Sequence, residues 1–292
     1  MTDKHNNTKK IGWTIFLNIV ITLAEYIGGM LSGSLALLSD AGHNLSDVIS
    51  LILGYFGEKI SDKKATKTHT FGFKRVEIFT ASINALSLLV IAVLIVTESI
   101  KRISHPENIS LGIMLSVGAI GLFGNLFSIL ILNKEKNASL NMKAAYLHLF
   151  YDTLSSVFVI AAAVIIYFTN MLVIDTVLSL IIALMILYSS LEIIKKTIHI
   201  FMQGIPEGIE FDKVFETISK IKDVKSIHDL HIWSVNSNQN FLSCHICTGK
   251  IKNPDILLKR INAVLKSSFN IEHTAIQFEQ NNICKTGAIC CK

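Results

Sequence analysis

The stretch SLALLSDAGHNLSDV, Ser34–Val48, decides how this chain is read. It lies in an apolar run long enough to cross a bilayer, yet it carries His43 and Asp47 four residues apart. The same spacing returns as His148 and Asp152 in a later apolar run, within AAYLHLFYDTLSSV at 144–157. Residues four apart stack on one face of a helix, so each pair offers one imidazole nitrogen and one carboxylate oxygen toward a common point. Four such ligands suit tetrahedral zinc. Ionisable groups at membrane depth cost about 2.5–3.5 kcal/mol each even on insertion scales, so they face a partner or a water-filled path. A polar residue satisfied between helices accounts for one His or Asp; it accounts poorly for two matched pairs.

Working outward, the 292-residue chain is 51% hydrophobic and only 17% charged, with a mean hydropathy of +0.50. That balance indicates a membrane protein. Long uncharged runs fill the first two thirds, and a mixed, charge-bearing sequence begins near Gln203. The expected division is a polar N-terminal tail at 1–10, a membrane domain at 11–202 and a soluble domain at 203–292. The net charge of +5 forms no dense basic stripe. Membrane topology explains it better than nucleic acid, which is not an expected partner. No small-residue cleavage site follows the first apolar run, so that run reads as a retained span. The five cysteines, Cys244, Cys247, Cys284, Cys290 and Cys291, all fall in the soluble part, and an odd number does not fit a closed disulfide framework. In a cytosolic domain they are expected to be reduced.

A hydrocarbon core of about 30 Å takes around 20 helical residues. Six segments qualify: 11–31, 35–56, 76–100, 111–132, 144–168 and 171–194. The loop Gly57–Arg75 carries Lys59, Lys63, Lys64, Lys67, Lys74 and Arg75, and Asn133–Lys143 carries Lys134, Lys136 and Lys143. Both lie on the side of the N-terminus. Opposite them, the turns at Gly33-Ser34 and Asn170 have no Lys or Arg, and the third connection has only Lys101 and Arg102. The positive-inside rule therefore predicts cytoplasmic termini and a cytoplasmic soluble domain. His43 then sits about nine residues below the outer turn and Asp152 about nine above the inner loop, both in the middle third of the membrane at 1.5 Å per residue.

Other polar residues share these spans. Asp40 and Asn44 lie beside His43 and are candidates to orient its imidazole; capping or hydrating the outer end of the span is the equal alternative for Asp40. Glu25 and Asn18 either line the same cavity or bond to neighbouring helices, and for Asn18 the structural reading is favoured. Glu77, Glu98 and Asp175 sit near span ends, where snorkelling costs little, and are given no functional role. The Gly118, Gly121 and Gly124 spacing suits close helix packing, within the chain or at a dimer contact.

With these residues in view, the chain resembles the cation diffusion facilitators, a family of zinc transporters that exchange cytosolic metal for protons. The two quoted motifs carry the resemblance, joined in order by HTFGFKRVE (69–77), FMQGIPEGIEFDKV (201–214), VKSIHDLHIWSV (224–235) and FNIEHTAIQFE (269–279). The resemblance implies a six-helix membrane domain, a cytosolic domain similar to a copper chaperone, and a homodimer. It assigns the transport ligands to His43, Asp47, His148 and Asp152. It also implies zinc as first choice, with cadmium, cobalt or nickel as lesser substrates. The Asn133–Lys143 loop has no histidine, unlike the His-rich insert of many eukaryotic members, which points to a bacterial plasma membrane. His69 lacks the neighbours that complete a metal site in some bacterial relatives and reads as an exposed histidine.

Past Gln203 the pattern predicts a helix at Phe211–Lys222, strands at Ser226–Val235 and Asn240–Thr248, a helix from Pro254 to Ser268 and a strand at Ile271–Glu279. The order αββαβ gives an α+β sheet with helices on one face, in keeping with a ferredoxin-like, metallochaperone-like domain. Candidate cytosolic metal ligands are His228, His245, Glu272, His273, Glu279, Cys284, Cys290 and Cys291, with zinc as a structural or regulatory ion. Cys244 and Cys247 cannot readily share an ion, since strand positions three apart face opposite sides, whereas Cys247 shares a face with His245.

The function expected is secondary active transport: zinc leaves the cytosol through the His43, Asp47, His148 and Asp152 site by alternating access as protons enter. Two alternatives remain open from the residues. An intramembrane metalloenzyme would use three protein ligands plus water, and a membrane-bound zinc sensor would not need a mid-membrane metal site.

Overall fold

The computed structural model describes residues 2–61, 63–133, 140–237, 239–250 and 253–280. Its contacts divide the chain into two compact units, Met1–Tyr55 with Ala81–Ile194, and Phe56–Thr80 with Lys195–Lys292, each taken over its described residues.

Among the described residues six long helices come first: α1 (Thr2–Ser32), α2 (Leu35–Ser61), α3 (Val76–Ser104), α4 (Leu111–Asn133), α5 (Leu140–Thr169) and α6 (Val173–Phe201). Four stretches among the described residues are by themselves long and apolar enough to cross a membrane: Val76–Ser104, Leu111–Ile131, Tyr146–Thr169 and Val173–Phe201. In α1 the apolar part among the described residues is the shorter Phe16–Ser32, and α2 carries the polar motif residues. Several helices outrun the predicted spans, α6 by a further two turns to Phe201, because helical hydrogen bonding does not stop where the hydrocarbon does.

The first unit is built with its polarity reversed. Phe123, Leu130, Phe168 and Met185 stand more than half exposed, whereas Glu25, Asp40, Asn44, Asn125, Asp152 and Asp175 are buried. In a lipid solvent that is the favourable arrangement, since only the interior offers polar partners. Small side chains close the helices onto one another: Ala36 and Leu37 of α2 pack with Met114 of α4 and with Val159, Ala162 and Ala163 of α5. Leu35 packs with Ile95 of α3 and Ala183 of α6. The α4 glycines serve packing within the chain. A Cβ at Gly118 would stand 3.1 Å from Ile160, and one at Gly124 2.5 Å from Ile21 of α1.

The second unit contains α7 (Phe211–Ser219), β1 (Val224–Ser234), β2 (Asn240–Thr248), α8 (Pro254–Phe269) and β3 (Ile271–Gln280), the αββαβ order that the hydrophobic pattern predicts. The strands lie in the order β1-β2-β3, with β1 antiparallel and β3 parallel to β2. Val214 and Ile218 of α7 and Leu257, Ile261 and Leu265 of α8 cover one face, together with inward strand residues including Leu230, Leu242, Cys244 and Ile246. Asn253 caps α8 by accepting hydrogen bonds from the Asp255 and Ile256 amides, and Asn270 ends it in the left-handed region at φ 52°.

Candidate metal centre

Asp40 of α2 meets Ser155 of α5, and about two helical turns further along, Asp47 meets His148. Ascending α2 therefore descends α5, so the two motif helices are antiparallel neighbours. Nε2 of His43 lies 3.6 Å from Oδ2 of Asp47. That oxygen lies 3.6 Å from Nε2 of His148, which in turn lies 3.5 Å from Oδ2 of Asp152. These separations match the roughly 3.4 Å ligand-to-ligand edge of a tetrahedral zinc shell with 2.0–2.2 Å bonds. The four side chains form a chain of contacts rather than a closed tetrahedron, with the two imidazole centroids 6.4 Å apart. Oδ2 of both Asp47 and Asp152 is buried without a hydrogen-bond donor, which leaves those oxygens available to a cation.

The neighbours hold the two helices and not the imidazoles. Oδ1 of Asp40 accepts a 2.6 Å hydrogen bond from Ser155. Nδ2 of Asn44 donates to Glu25 of α1 at 2.8 Å. Asp40 and Asn44 thus tie α2 to α5 and α1, and neither hydrogen-bonds His43. The reading of Asp175 as a span-end residue near water is corrected: it is 1% exposed and caps α2 from α6. It accepts from the Ser34 hydroxyl at 2.6 Å and the Leu35 amide at 2.8 Å, with the Ala36 amide at 3.4 Å. Negative charge at a helix N-terminus is favourable, and here it anchors the helix that carries His43 and Asp47.

A second cluster lies on β1, β2 and β3. Glu279 bridges two imidazoles, with Oε2 3.2 Å from Nε2 of His228 and Oε1 3.0 Å from Nδ1 of His245. Sγ of Cys247 lies 3.9 Å from Nδ1 of His228, and among the described residues His228, Cys247 and Glu279 form the compact trio with metal-ligand geometry. Cys244 points the other way, into the apolar core, where burial pushes its thiol up to about 12. Glu272 and His273 join neither cluster. Glu272 pairs with Lys266 at 2.9 Å, and His273 stacks on Phe241 with centroids 4.6 Å apart. His69 is exposed and stacks on Phe73. Cys284, Cys290 and Cys291 lie outside the described residues.

The family model described as "Cation efflux transmembrane domain" matches residues 13–202. The chain belongs to the cation diffusion facilitator family. The model described as "Cation efflux protein, cytoplasmic domain" matches residues 206–281, a match that points to dimer formation. This facilitator is 39% identical over 289 residues to the "Cadmium, cobalt and zinc/H(+)-K(+) antiporter" of Bacillus velezensis, covering 96% of this chain and 92% of that protein. It is 35% identical over 274 residues to the "Metal cation efflux system protein CzcD" of Cupriavidus metallidurans, covering 94% and 87%. It is 34% identical over 278 residues to the "Zinc transporter ZitB" of Escherichia coli, covering 94% and 88%. A solved structure, the metal-bound C-terminal domain of the Cupriavidus CzcD transporter, matches at 35% identity with a TM-score of 0.23, covering 24% of this chain and 99% of that one. Family membership makes the facilitator an integral membrane transporter rather than an enzyme, with bacterial relatives.

Three residues at these clusters were not picked out as site residues from sequence. Asp175 gives no local signal, since its partners are 139 to 141 positions away. Asp229 adopts φ 52° at a break in the β1/β2 register and turns its carboxylate to His231 at 3.0 Å and His245 at 3.7 Å; the HDLH run was the available hint. Cys247 was placed on the face of His245 by strand alternation, yet not counted among the ligands.

Proposed function

We propose that the facilitator exports divalent zinc from the cytosol in exchange for protons, holding the ion between α2 and α5 at His43, Asp47, His148 and Asp152. Cadmium, cobalt and nickel are lesser substrates. What supports this reading above all is the meeting of two imidazoles and two carboxylates from antiparallel helices, with both Oδ2 atoms buried and without donors. Side-chain rotation of His43 and Asp152 onto an ion closes the contact chain into a shell. Ligands bind metal only when deprotonated, so zinc and protons compete for one site. Rocking between inward-open and outward-open states then moves zinc out as protons move in. In this reading six helices cross a bacterial plasma membrane and both termini are cytoplasmic.

The test is zinc-driven proton flux in proteoliposomes. Flux is expected to vanish in Asp47→Ala and in Asp152→Ala while the protein stays folded; wild-type flux in both variants refutes the assignment. We further infer that zinc at His228, His245 and Glu279, joined by the thiolate of Cys247, stabilises a homodimer through the cytosolic domain. Deleting residues beyond Gln203 should then change the zinc dependence of transport, and an unchanged dependence removes the regulatory role.

A further inference from the structure

The charge inside the membrane unit does not balance on one dication. Zinc at the proposed site offsets Asp47 and Asp152, and two more buried carboxylates, Glu25 and Asp40, stand close by. None of the buried side chains among the described residues is Lys or Arg. An uncompensated charge in a low-dielectric interior is strongly disfavoured, so further positive charge belongs there. Asp40 is served by Ser155. Glu25 has one side-chain hydrogen bond, from the neutral amide of Asn44.

The surroundings of Glu25 are oxygen-rich and shaped to it. Oε1 of Glu25 and Oγ of Ser156 face the bare backbone of Gly121, where a Cβ would stand 2.6 Å from the first and 3.1 Å from the second. Oδ1 of Asn44 accepts no hydrogen bond although the residue is fully buried. One turn along α4 from Gly121, Asn125 is fully buried with neither amide atom partnered. Asn18, two turns before Glu25 on α1, has a buried Oδ1 without a donor. Buried amides are almost always satisfied, so a cluster of orphans beside a lone carboxylate marks a place for a polar guest. The donor set is oxygen throughout, without imidazole or thiol, and suits a hard cation rather than zinc. Glu25 is the one carboxylate of this donor set, which suits a single positive charge; with zinc also in place, Asp40, held by the Ser155 hydroxyl, is the remaining anionic group.

We propose that Glu25, with Asn44, Asn125 and Ser156, binds a monovalent cation between α1, α2, α4 and α5, and that this is a site of the counter-ion exchanged for metal. The inference rests on the exporter reading above. The other carboxylates acting on Glu25 are Asp40 of α2 and Asp152 of α5, so a cation at Glu25 also lowers the repulsion felt at the metal ligands. The site thereby couples metal to counter-ion without sharing a ligand.

The test uses full-length protein in proteoliposomes, with zinc flux read by a fluorescent indicator under either a potassium gradient at equal pH or a pH gradient without potassium. Zinc affinity is measured in parallel by calorimetry. Wild type should respond to at least one gradient. Glu25→Gln should lose about tenfold of that response while still binding zinc. Glu25→Asp, which keeps the charge, should recover part of it. Gly121→Ala, which pushes a methyl onto Oε1 and leaves the charge in place, should weaken it too. Loss confined to the potassium arm identifies an alkali cation as occupant, and loss confined to the pH arm identifies the proton; either supports the site. A wild-type gradient response in Glu25→Gln overturns the proposal, as does loss of zinc binding in that variant. A wild-type protein that moves zinc without responding to either gradient refutes the exchange reading itself.

Discussion

Replacing Asp175 by alanine is expected to destabilise the membrane unit by about 3 kcal/mol. Two short hydrogen bonds converge on this carboxylate from the start of α2, the Ser34 hydroxyl at 2.6 Å and the Leu35 amide at 2.8 Å, with a longer one from Ala36 at 3.4 Å. A hydrogen bond to a charged acceptor contributes about 1.5–3 kcal/mol, and loss of a helix cap costs about 0.5–2 kcal/mol. Removing the carboxylate leaves Ser34 and Leu35 without these partners in a buried position. It also relieves the cost of desolvating the carboxylate, which holds the net loss near the lower sum. The Asp175→Asn variant keeps one side-chain acceptor and should retain about half of the contribution. The assay is SDS-driven unfolding of purified protein in mixed micelles, followed by helical circular dichroism, for wild type, Asp175→Ala, Asp175→Asn and Ser34→Ala. Because the cap holds the helix that presents His43 and Asp47, zinc affinity should fall in the same order with all four ligands intact. An Asp175→Ala protein within about 0.5 kcal/mol of wild type, the range of a surface substitution, would refute the reasoning.

Burial of Cys244 raises its thiol from an ordinary 9.0 to about 12, so the folded state holds the proton that the unfolded chain releases. Its contribution to stability is complete below pH 9 and is lost as pH rises toward 12; Cys244→Ala should remove that part of the alkaline slope in denaturation curves. Alkylation at about pH 8 should spare Cys244 until the domain unfolds. Asn253→Ala removes the α8 cap and should cost about 1 kcal/mol in denaturant unfolding of the cytosolic unit. Glu279→Gln should lower the number of zinc ions bound at equilibrium dialysis, and Cys247→Ser should weaken zinc binding at the same cluster. An unchanged stoichiometry in the glutamine variant would remove Glu279 from the cytosolic cluster.

Periodicity made the cytosolic elements legible: the predicted strand Asn240–Thr248 has the same bounds in the structure, and the helix from Pro254 runs one residue beyond the predicted Ser268. Strand alternation also separated Cys244 from Cys247, one in the core and the other beside His228. Glu272 and His273 are candidates because Glu272 stands where the family resemblance implies a histidine and His273 is one residue on. In space, Lys266 and Phe241 claim them. The bonds of Glu25 to Asn44 and of Asp175 to Ser34 join helices far apart in the chain, and no local pattern encodes them.

Sequence by itself determined the classes of structure and the chemistry on offer: apolar runs that call for a membrane, and imidazole and carboxylate at helical spacing on two of them. Those properties follow from local geometry and the cost of charge in hydrocarbon. Which atoms meet was decided only by tertiary structure. The antiparallel fit of α2 on α5 sets Asp47 against His148, and the closeness of α1 to Gly121 of α4 seals Glu25 inside. Such contacts depend on how side-chain volumes interlock between helices, a property of the packed whole that no single segment contains.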